Sequence, residues 1–280
     1  MAVNISYNQE ELRKIKDIEL YILKSVHECC EELGIPYFMA YGTALGAVRH
    51  GGFIPWDDDI DIGMLRPDYN RFISNAKDIL SKKSLFVQDI STEHNCPFPW
   101  AKVRMNNTVF VEYCNRNVKA HKGVYIDIFP FDELPKSIKD QEIQYNKVQK
   151  LTKLFVYHQT PDITEIPYGF KLLIKQLVRR SIHYLTMLIP LNVITKLLND
   201  CMCQYNGKNT GVYGCLFYPK FKAGCMNKEM VTKVEPYKFE NINTFVPGNV
   251  QEYLSSQYGD YMKLPPVEQR VGHRPFKVEL

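Results

Sequence analysis

The sequence lacks the features that mark membrane-spanning, secreted or nucleic-acid-binding proteins. No uninterrupted apolar stretch is long enough to span a bilayer, and the segment from Met1 to Lys16 lacks the apolar core of a secretory signal. Eight cysteines in 280 residues are too sparse for a disulfide-stapled secreted scaffold. A net charge of +4 is too small to indicate a nucleic-acid partner, although it suits substrates that carry phosphate. We therefore expect a cytoplasmic protein.

The spacing of apolar residues predicts one α/β core with a helical extension. Helical spacing runs from residue 10 to 33 and ends at Gly34, and a second helix is expected from Pro67 to about residue 80. Short strands are predicted at 36–41, 60–62, 85–90, 101–105, 109–113, 124–129 and 239–246. Pro130 is expected to end the strand at 124–129. Long helical segments occupy about 136–206, and another helix is expected at 249–257.

These elements predict an α/β (α+β) fold that is built as one domain over residues 1–280. Residues 1–135 form its mixed-sheet core, about 136–209 a helical extension, and 210–280 a C-terminal part that completes the domain. There is no internal repeat that would indicate a solenoid.

The most informative segment is an acidic run that ends in a strand. Asp59 and Asp61 are two residues apart, so in a strand they project from one face while Ile60 and Ile62 enter the core. Two carboxylates so close repel each other unless a cation lies between them, and hard oxygen ligands select Mg²⁺ or Mn²⁺. The alternative for such a run is a solvated loop.

Two further segments could contribute to the same site. Gly42 and Thr43 lie where a strand meets a helix, so that backbone N–H groups and the helix N-terminus could approach a phosphate. Taken alone, a Gly-Thr pair is more often just a turn. Asp127 is a single acid within an apolar strand, where it is costly to bury unpaired, and joining a metal cluster would remove that cost. The alternative for such a lone acid is a cap or a surface residue. The order of these three segments favours one metal centre.

The motifs closely resemble those of the LicD family, which includes fukutin-related protein. The resemblance is carried by the runs Tyr41 to Arg49 and Gly52 to Asp61 and by the segment around Lys102, and it continues in Ile126 to Pro130. It resumes near the end, at Val246-Pro247, Tyr253-Leu254, Tyr258-Gly259-Asp260-Tyr261 and Leu264-Pro265-Pro266. Nearly the whole chain is covered except for about 141–209.

This resemblance implies a nucleotidyltransferase-like fold and a phosphotransferase. Such an enzyme would move a phosphorylated alcohol, most typically phosphocholine from CDP-choline, to a glycan or lipid-linked glycan such as a teichoic acid or lipopolysaccharide precursor. By this likeness Asp59, Asp61 and Asp127 would be the catalytic metal ligands, and Gly42 and Thr43 would bind the donor phosphates. Arg49, Lys102 and Arg104 are further candidates for donor phosphate contact, against the alternative of solvated cations.

Two other functions remain open at this stage. A nucleotidyltransferase would use the same metal centre but leave a nucleoside monophosphate on a sugar or alcohol acceptor and release pyrophosphate. A non-catalytic nucleotide-binding assembly subunit could retain the fold, although it would have no chemical need for all three acids. Choline, ribitol and glycerol donors are not distinguished by these residues.

Residues 166–199 contain five basic residues and no acid, a composition that suits peripheral contact with an anionic membrane. On a helix, Lys171, Lys175, Arg179 and His183 fall near one side, opposite an apolar side. The alternative is an ordinary helix packed on the core with its charged face outward.

Two weaker patterns concern cysteine and histidine. The spacing of Cys201, Cys203, Cys215 and Cys225 lacks the paired knuckles of common zinc sites and favours free thiols. His273, within a basic C-terminal cluster, could close over a phosphate-bearing substrate or belong to an exposed tail.

Overall fold

The computed structural model describes residues 8–166, 169–219, 221, 225–270, 272 and 275–280. Its helices are Gln9–Leu33 (α1), Tyr41–His50 (α2), Arg66–Ser81 (α3), Ile138–Gln159 (α4), Phe170–Thr186 (α5), Leu191–Met202 (α6), Lys228–Thr232 (α7) and Val250–Tyr258 (α8). Its strands are Phe38–Met39 (β1), Asp61–Leu65 (β2), Leu85–Gln88 (β3), Ala101–Met105 (β4), Val109–Val111 (β5), Tyr125–Leu134 (β6), Val212–Gly214 (β7), Met226–Asn227 (β8), Glu235–Phe239 (β9), Ile242–Val246 (β10) and Lys277–Glu279 (β11). Tyr168 and His273 lie outside the described residues.

The main sheet is mixed, as expected of an α+β fold. Its central strand order is β1-β2-β6-β4-β3. In addition, β7 pairs with the C-terminal end of β6, and β8 pairs with β7. β2 and β6 run parallel, whereas β1–β2, β6–β4, β4–β3 and β6–β7 run antiparallel. The predicted fold class is therefore confirmed.

Local sequence signals place several elements well. Asn8 caps α1 through a capping box with Glu11, and Gly34 ends the helix in the left-handed conformation at φ 59°. The predicted strand at 101–105 coincides with β4. The predicted strand at 239–246 is instead a hairpin of β9 and β10, and Glu240 in its turn has φ 53°.

Pro130 does not end its strand, contrary to expectation. The N–H of Asp127 points toward β2, because it donates to the carbonyl of Ile60 at 2.9 Å. Residues alternate along a strand, so the nitrogen of Pro130 faces the opposite side. There the pairing with β4 ends at Ile128 and the pairing with β7 begins at Asp132. Proline lies in this gap, where no ladder hydrogen bond is lost.

A single apolar core joins the N-terminal and C-terminal parts of the chain. Buried side chains from α1, α2, β1, β2, α3 and β6 pack with buried side chains of residues 215–254. Helices α1 and α3 pack on each other and on the sheet. The segment after the helical extension therefore contributes to the same core as the first strands.

A buried ion pair links this core to the end of the helical extension. Arg66 at the start of α3 donates to both carboxylate oxygens of Asp132 on β6, at 2.8 and 2.5 Å. Asn206, just after α6, donates to the same carboxylate at 2.7 Å. Asp132 is 1% exposed, so its charge depends on these donors rather than on water.

Replacing Asp132 with alanine should lower the free energy of unfolding by about 3–5 kcal/mol, because Arg66 would remain buried without its counter-ion. Urea unfolding of the full chain measures this change. Asp68→Ala, which removes an α3 carboxylate bonded to the half-exposed Arg71, is the matched control and should cost less than about 1 kcal/mol. Equal costs for the two variants would contradict the assigned role of the buried pair.

Candidate active site

Strand register brings three charged residues into one row across the sheet. Asp61 on β2 lies beside Asp127 on β6 in the parallel pair, and Asp127 lies opposite Lys102 on β4 in the antiparallel pair. Cross-strand partners project from the same face, and neighbouring strands are roughly 4.8 Å apart. Two carboxylates and one ammonium group therefore share one side of the sheet.

Asp127 is held by two donors. The Nζ of Lys102 lies 2.6 Å from Oδ1 and 2.8 Å from Oδ2, and the indole Nε1 of Trp100 donates to Oδ1 at 2.5 Å. Lys102 is 2% exposed, and its ammonium lies 3.5 Å from the centre of the Tyr125 ring. Burial lowers the pKa of Lys102, while Asp127 opposes that shift and favours the charged amine.

The other two acids lie close to each other at the start of β2. This strand begins at Asp61, so Asp59 lies in the irregular segment just before it, and the two acids do not share a strand as the spacing argument assumed. Burial raises the pKa of Asp61 well above its usual value, and repulsion from Asp59 and then Asp127 adds to this shift. Lys102 opposes it only in part. The electrostatics thus favour a positive group or a proton beside Asp61.

Residues at the start of α2 fix the position of the backbone at Asp61. The backbone N–H of Asp61 donates to the hydroxyl of Thr43 at 2.8 Å, and Thr43 is buried. Tyr41 begins the helix at φ 47°, and its N–H donates to the hydroxyl of Tyr253 at 2.9 Å. The strand-to-helix junction is thereby tied both to the acidic strand and to α8.

The acids open into a cleft of about 440 Å³ with aromatic walls. Asp59, Asp61, Lys102 and Asp127 line it together with one further acid, Glu112. The aromatic residues of the lining are Tyr41, Phe98, Trp100, Tyr125, Phe129, Phe217 and Tyr218. Rings in this cleft contact one another, as Tyr41 and Tyr218 do, stacked with centroids 4.1 Å apart. The charged groups therefore share the cleft with largely apolar ring surfaces.

Comparison with known proteins places this site in a family. Residues 34–168 match the LicD/FKTN/FKRP nucleotidyltransferase domain, and this range holds every acid of the cleft. The resemblance to the LicD family that the motifs carry is therefore confirmed over this range. It is 27% identical to the lipopolysaccharide cholinephosphotransferase LicD of Haemophilus influenzae over 277 residues, which cover 94% of this chain and 95% of that protein.

Other relatives share shorter segments. Human ribitol 5-phosphate transferase FKRP is 28% identical over 120 residues, 43% of this chain and 21% of FKRP. The uncharacterized protein RP689 of Rickettsia prowazekii is 40% identical over 70 residues, 23% of this chain and 26% of RP689. LicD and FKRP are named as phosphotransferases, which confirms the expectation that this chain is an enzyme.

The predicted phosphate-binding residues do not all reach the cleft. Arg49 donates to the carbonyl of Tyr261 at 2.8 Å and lines a separate groove. Arg104 is buried, donates to Gln88 and to the carbonyl of Gly123, and also lies outside the cleft. Thr43 uses its hydroxyl to hold β2, as described above. Of the predicted cations, only Lys102 lines the cleft.

Gly42 lies against the acidic run rather than in the cleft lining. A Cβ added there would approach the Oδ2 of Asp57 to 3.2 Å, closer than ordinary contacts. The glycine therefore permits the close packing of α2 on the segment that carries the acids. Its role in phosphate binding stays a prediction.

The three predicted metal ligands do not form one metal-binding group here. Among the residues described, no cluster of three His, Cys, Asp or Glu side chains has the geometry to hold a metal ion. Asp127, the expected third ligand, accepts from Lys102 and Trp100 instead. The raised pKa of Asp61 favours a cation beside it, and Mg²⁺ commonly takes one or two carboxylates, so metal binding by Asp59 and Asp61 stays a prediction.

The sequence did not single out two acids that the tertiary structure brings near the acidic run and the cleft. Glu112, at the end of β5, enters the cleft wall. Glu19 on α1 is 2% exposed and lies near the acidic run. A signal for Glu19 existed, because it falls four residues after Ile15 and three before Ile22, on the buried side of α1.

Burial raises the pKa of every cysteine thiol and so disfavours the thiolate form. All eight are free thiols. Burial raises the pKa of both Cys203 and Cys215 to about 11, so both are protonated at neutral pH. Because the thiolate is the form that binds metals, this argues against these two as zinc ligands.

Glu19→Gln should flatten the pH dependence of stability in the metal-free protein. Burial, followed by repulsion from Asp59 and Asp58, raises the pKa of Glu19 well above its usual value. The unfolded chain ionises this group above about pH 4.3, so folding binds a proton and stability falls as pH rises. The glutamine variant lacks this loss.

Thermal unfolding between about pH 5 and about pH 8 should show a Tm advantage for Glu19→Gln that grows by roughly 2 °C or more toward the higher pH. Glu32→Gln, an exposed position on the same helix, should follow the parent protein at every pH. A parallel pH profile for Glu19→Gln and the parent would show that Glu19 is ionised in the folded state.

Proposed function

We propose that this enzyme transfers phosphocholine from CDP-choline to a hydroxyl of a cell-surface glycan precursor and releases CMP. The observation that carries the proposal is the make-up of the cleft, in which a carboxylate pair, aromatic rings and Glu112 occur together. The pair suits a metal ion with a pyrophosphate, while aromatic faces and an acid suit a quaternary ammonium group. The likeness along 94% of the chain to a lipopolysaccharide cholinephosphotransferase supports the same substrate class.

The three aspartates divide between two parts in the reaction. Asp59 and Asp61 would hold Mg²⁺ or Mn²⁺, which when bound supplies charge neutralisation on the donor pyrophosphate and the departing CMP. Asp127 is kept in place by Lys102 and Trp100, and its Oδ2 accepts only from Lys102 among the residues described. A carboxylate oxygen can accept two hydrogen bonds, so Asp127 retains a position for the acceptor hydroxyl.

The transfer then proceeds by in-line attack. The acceptor oxygen forms a bond to the phosphorus of the phosphocholine group, and its proton passes to Asp127. The bond from this phosphorus to the oxygen of CMP breaks, and CMP leaves with that bonding pair. Burial of the Lys102–Asp127 pair strengthens its electrostatic effect, because little water screens it.

The direct test is incubation of the purified chain and Mg²⁺ with CDP-choline, CDP-ribitol and CDP-glycerol, with and without glycan acceptors. CMP formation that depends on the acceptor, fastest with CDP-choline, is the expected result. Release of pyrophosphate from a nucleoside triphosphate and a sugar phosphate would instead establish a nucleotidyltransferase. Neither product under any condition would favour a non-catalytic nucleotide-binding subunit.

Asp59→Asn and Asp61→Asn should each lower kcat in this assay by about 10²-fold or more, because the charge that binds the metal is lost while the shape is kept. Circular dichroism and Tm should show an intact fold. Asp78→Asn on the exposed side of α3 is the matched acid-to-amide control and should keep full activity. Near-normal turnover by Asp61→Asn with Mg²⁺ would refute the assigned role of this carboxylate.

Glu112→Gln should discriminate between donors. Removing its negative charge should lower kcat/KM for CDP-choline by about tenfold, which corresponds to roughly 1.4 kcal/mol of lost attraction to the ammonium group. The value for CDP-glycerol, whose alcohol group carries no charge, should change by less than about twofold. Glu229→Gln, an exposed acid on α7, serves as control. An equal loss for both donors would mean that Glu112 does not contact the choline group.

A further inference from the structure

Helix α5 is oriented with its apolar side away from the protein. Gln176, Arg179 and Thr186 are buried, whereas Phe170 is 79% exposed and Leu188, just after the helix, is 80% exposed. At 100° per residue the exposed apolar side chains form one stripe. We call this stripe the outer apolar face: Phe170, Leu173, Ile174, Leu177, Val178, Tyr184, Leu185 and Leu188.

Hydrogen bonds hold the polar side of α5 against the protein. The Nη2 of Arg179 donates to the carbonyl of Thr160 at 2.6 Å and to that of Val156 at 2.8 Å. Gln176 donates to Asp162 at 2.5 Å. Rotating the helix to bury its apolar side would break these bonds inside the protein. The alternative expected from sequence, a helix with its charged face outward, is therefore wrong.

Basic side chains border the outer apolar face. Lys171 and Arg180 fall on its two sides, at about 100° and about −80° from Phe170 on the helical wheel. Residues 166–199 contain no acid, and the ion pairs of Lys175 with Glu165 and Lys196 with Asp200 are solvent-exposed and weak. Arg180 also pairs with the buried Asp162 at 3.1 Å, although its side chain stays 45% exposed, so Lys171 carries the larger part of the free positive charge beside the face. An apolar stripe bordered by cations matches the interface of an anionic bilayer, whose acyl region is apolar and whose surface is negative.

The same helix borders a crevice that adjoins the active site. Val178, Arg179 and Ile182 line a largely apolar crevice of about 470 Å³. This crevice shares Phe98, Trp100 and Glu112 with the catalytic cleft. A surface bound to α5 would therefore lie close to an apolar path toward the reacting groups.

We propose that the outer apolar face docks the enzyme on the surface of an anionic lipid bilayer, with α5 lying in the plane of the interface. Among the described residues, no single helix is long and apolar enough to cross a membrane. Only α5 together with Leu191–Tyr205, bent by 92°, reaches that length and composition. The docking goes beyond the proposed transfer reaction and does not require it. If both hold, the crevice would admit a lipid-linked acceptor from the bilayer.

The test is flotation of the full chain with vesicles of phosphatidylcholine mixed with phosphatidylglycerol, against vesicles of phosphatidylcholine alone. Binding should favour the anionic vesicles and weaken at high salt. The double variant Leu185→Glu/Leu188→Glu should reduce binding by about tenfold or more, and Lys171→Gln by about fivefold. Val267→Glu, 72% exposed outside the helical extension, is the matched control and should bind like the parent.

Two results would overturn the docking. One is no binding to anionic vesicles at low salt. The other is a stable dimer in light scattering that Leu185→Glu/Leu188→Glu converts to a monomer, which would identify the face as a contact between two copies. CMP formation with a water-soluble glycan acceptor, measured without vesicles, tests the proposed function separately. Its failure together with intact vesicle binding would refute the transfer reaction and leave the docking standing.

Discussion

Repulsion between carboxylates on neighbouring strands is the constraint on which this site depends. The parallel register of β2 and β6 places Asp61 beside Asp127, and the chain adds Asp59 just before β2. Such crowding is unfavourable unless positive charge or protons compensate it. Lys102 compensates one side from β4, while Thr43 fixes the backbone of Asp61 from behind. The rest of the core holds these strands in register against the repulsion.

This uneven compensation divides the acids by role. Lys102 and Trp100 hold Asp127, whereas burial and repulsion from Asp59 raise the pKa of Asp61. In the proposed reaction a divalent ion binds at Asp59 and Asp61, and Asp127 accepts the proton. Around them the aromatic walls lower the local dielectric, which strengthens each of these interactions. Phe98 and Trp100 of these walls also line the crevice beside α5, so the proposed lipid-binding helix borders a space that adjoins the catalytic cleft.

Local sequence signals predicted those elements whose formation depends on neighbouring residues. The capping box and Gly34 delimit α1, and alternation delimits β4 to the residue. The prediction that Pro130 ends its strand was wrong because proline disrupts a strand only where its nitrogen would have to donate a hydrogen bond to a neighbouring strand. Whether a neighbour lies there depends on the order and length of the strands in the sheet. Arg49 and Arg104 were plausible phosphate ligands because of their charge, yet both donate hydrogen bonds to backbone carbonyls outside the cleft. Glu112 escaped notice because nothing local distinguishes it from a surface acid.

The sequence by itself determined the likeness to the LicD family, the α+β class and the acidic segment around Asp59 and Asp61, because these are carried by short motifs and by periodicity. Only the tertiary structure decided which carboxylate faces Lys102, which cations reach the cleft and which side of α5 is buried. The physical reason is that these outcomes depend on strand register and on hydrogen bonds between residues far apart in the chain. Arg179, buried through bonds from α5 to the end of α4, is the clearest case: a helical wheel shows that it lies opposite Leu177, but not which of the two faces water.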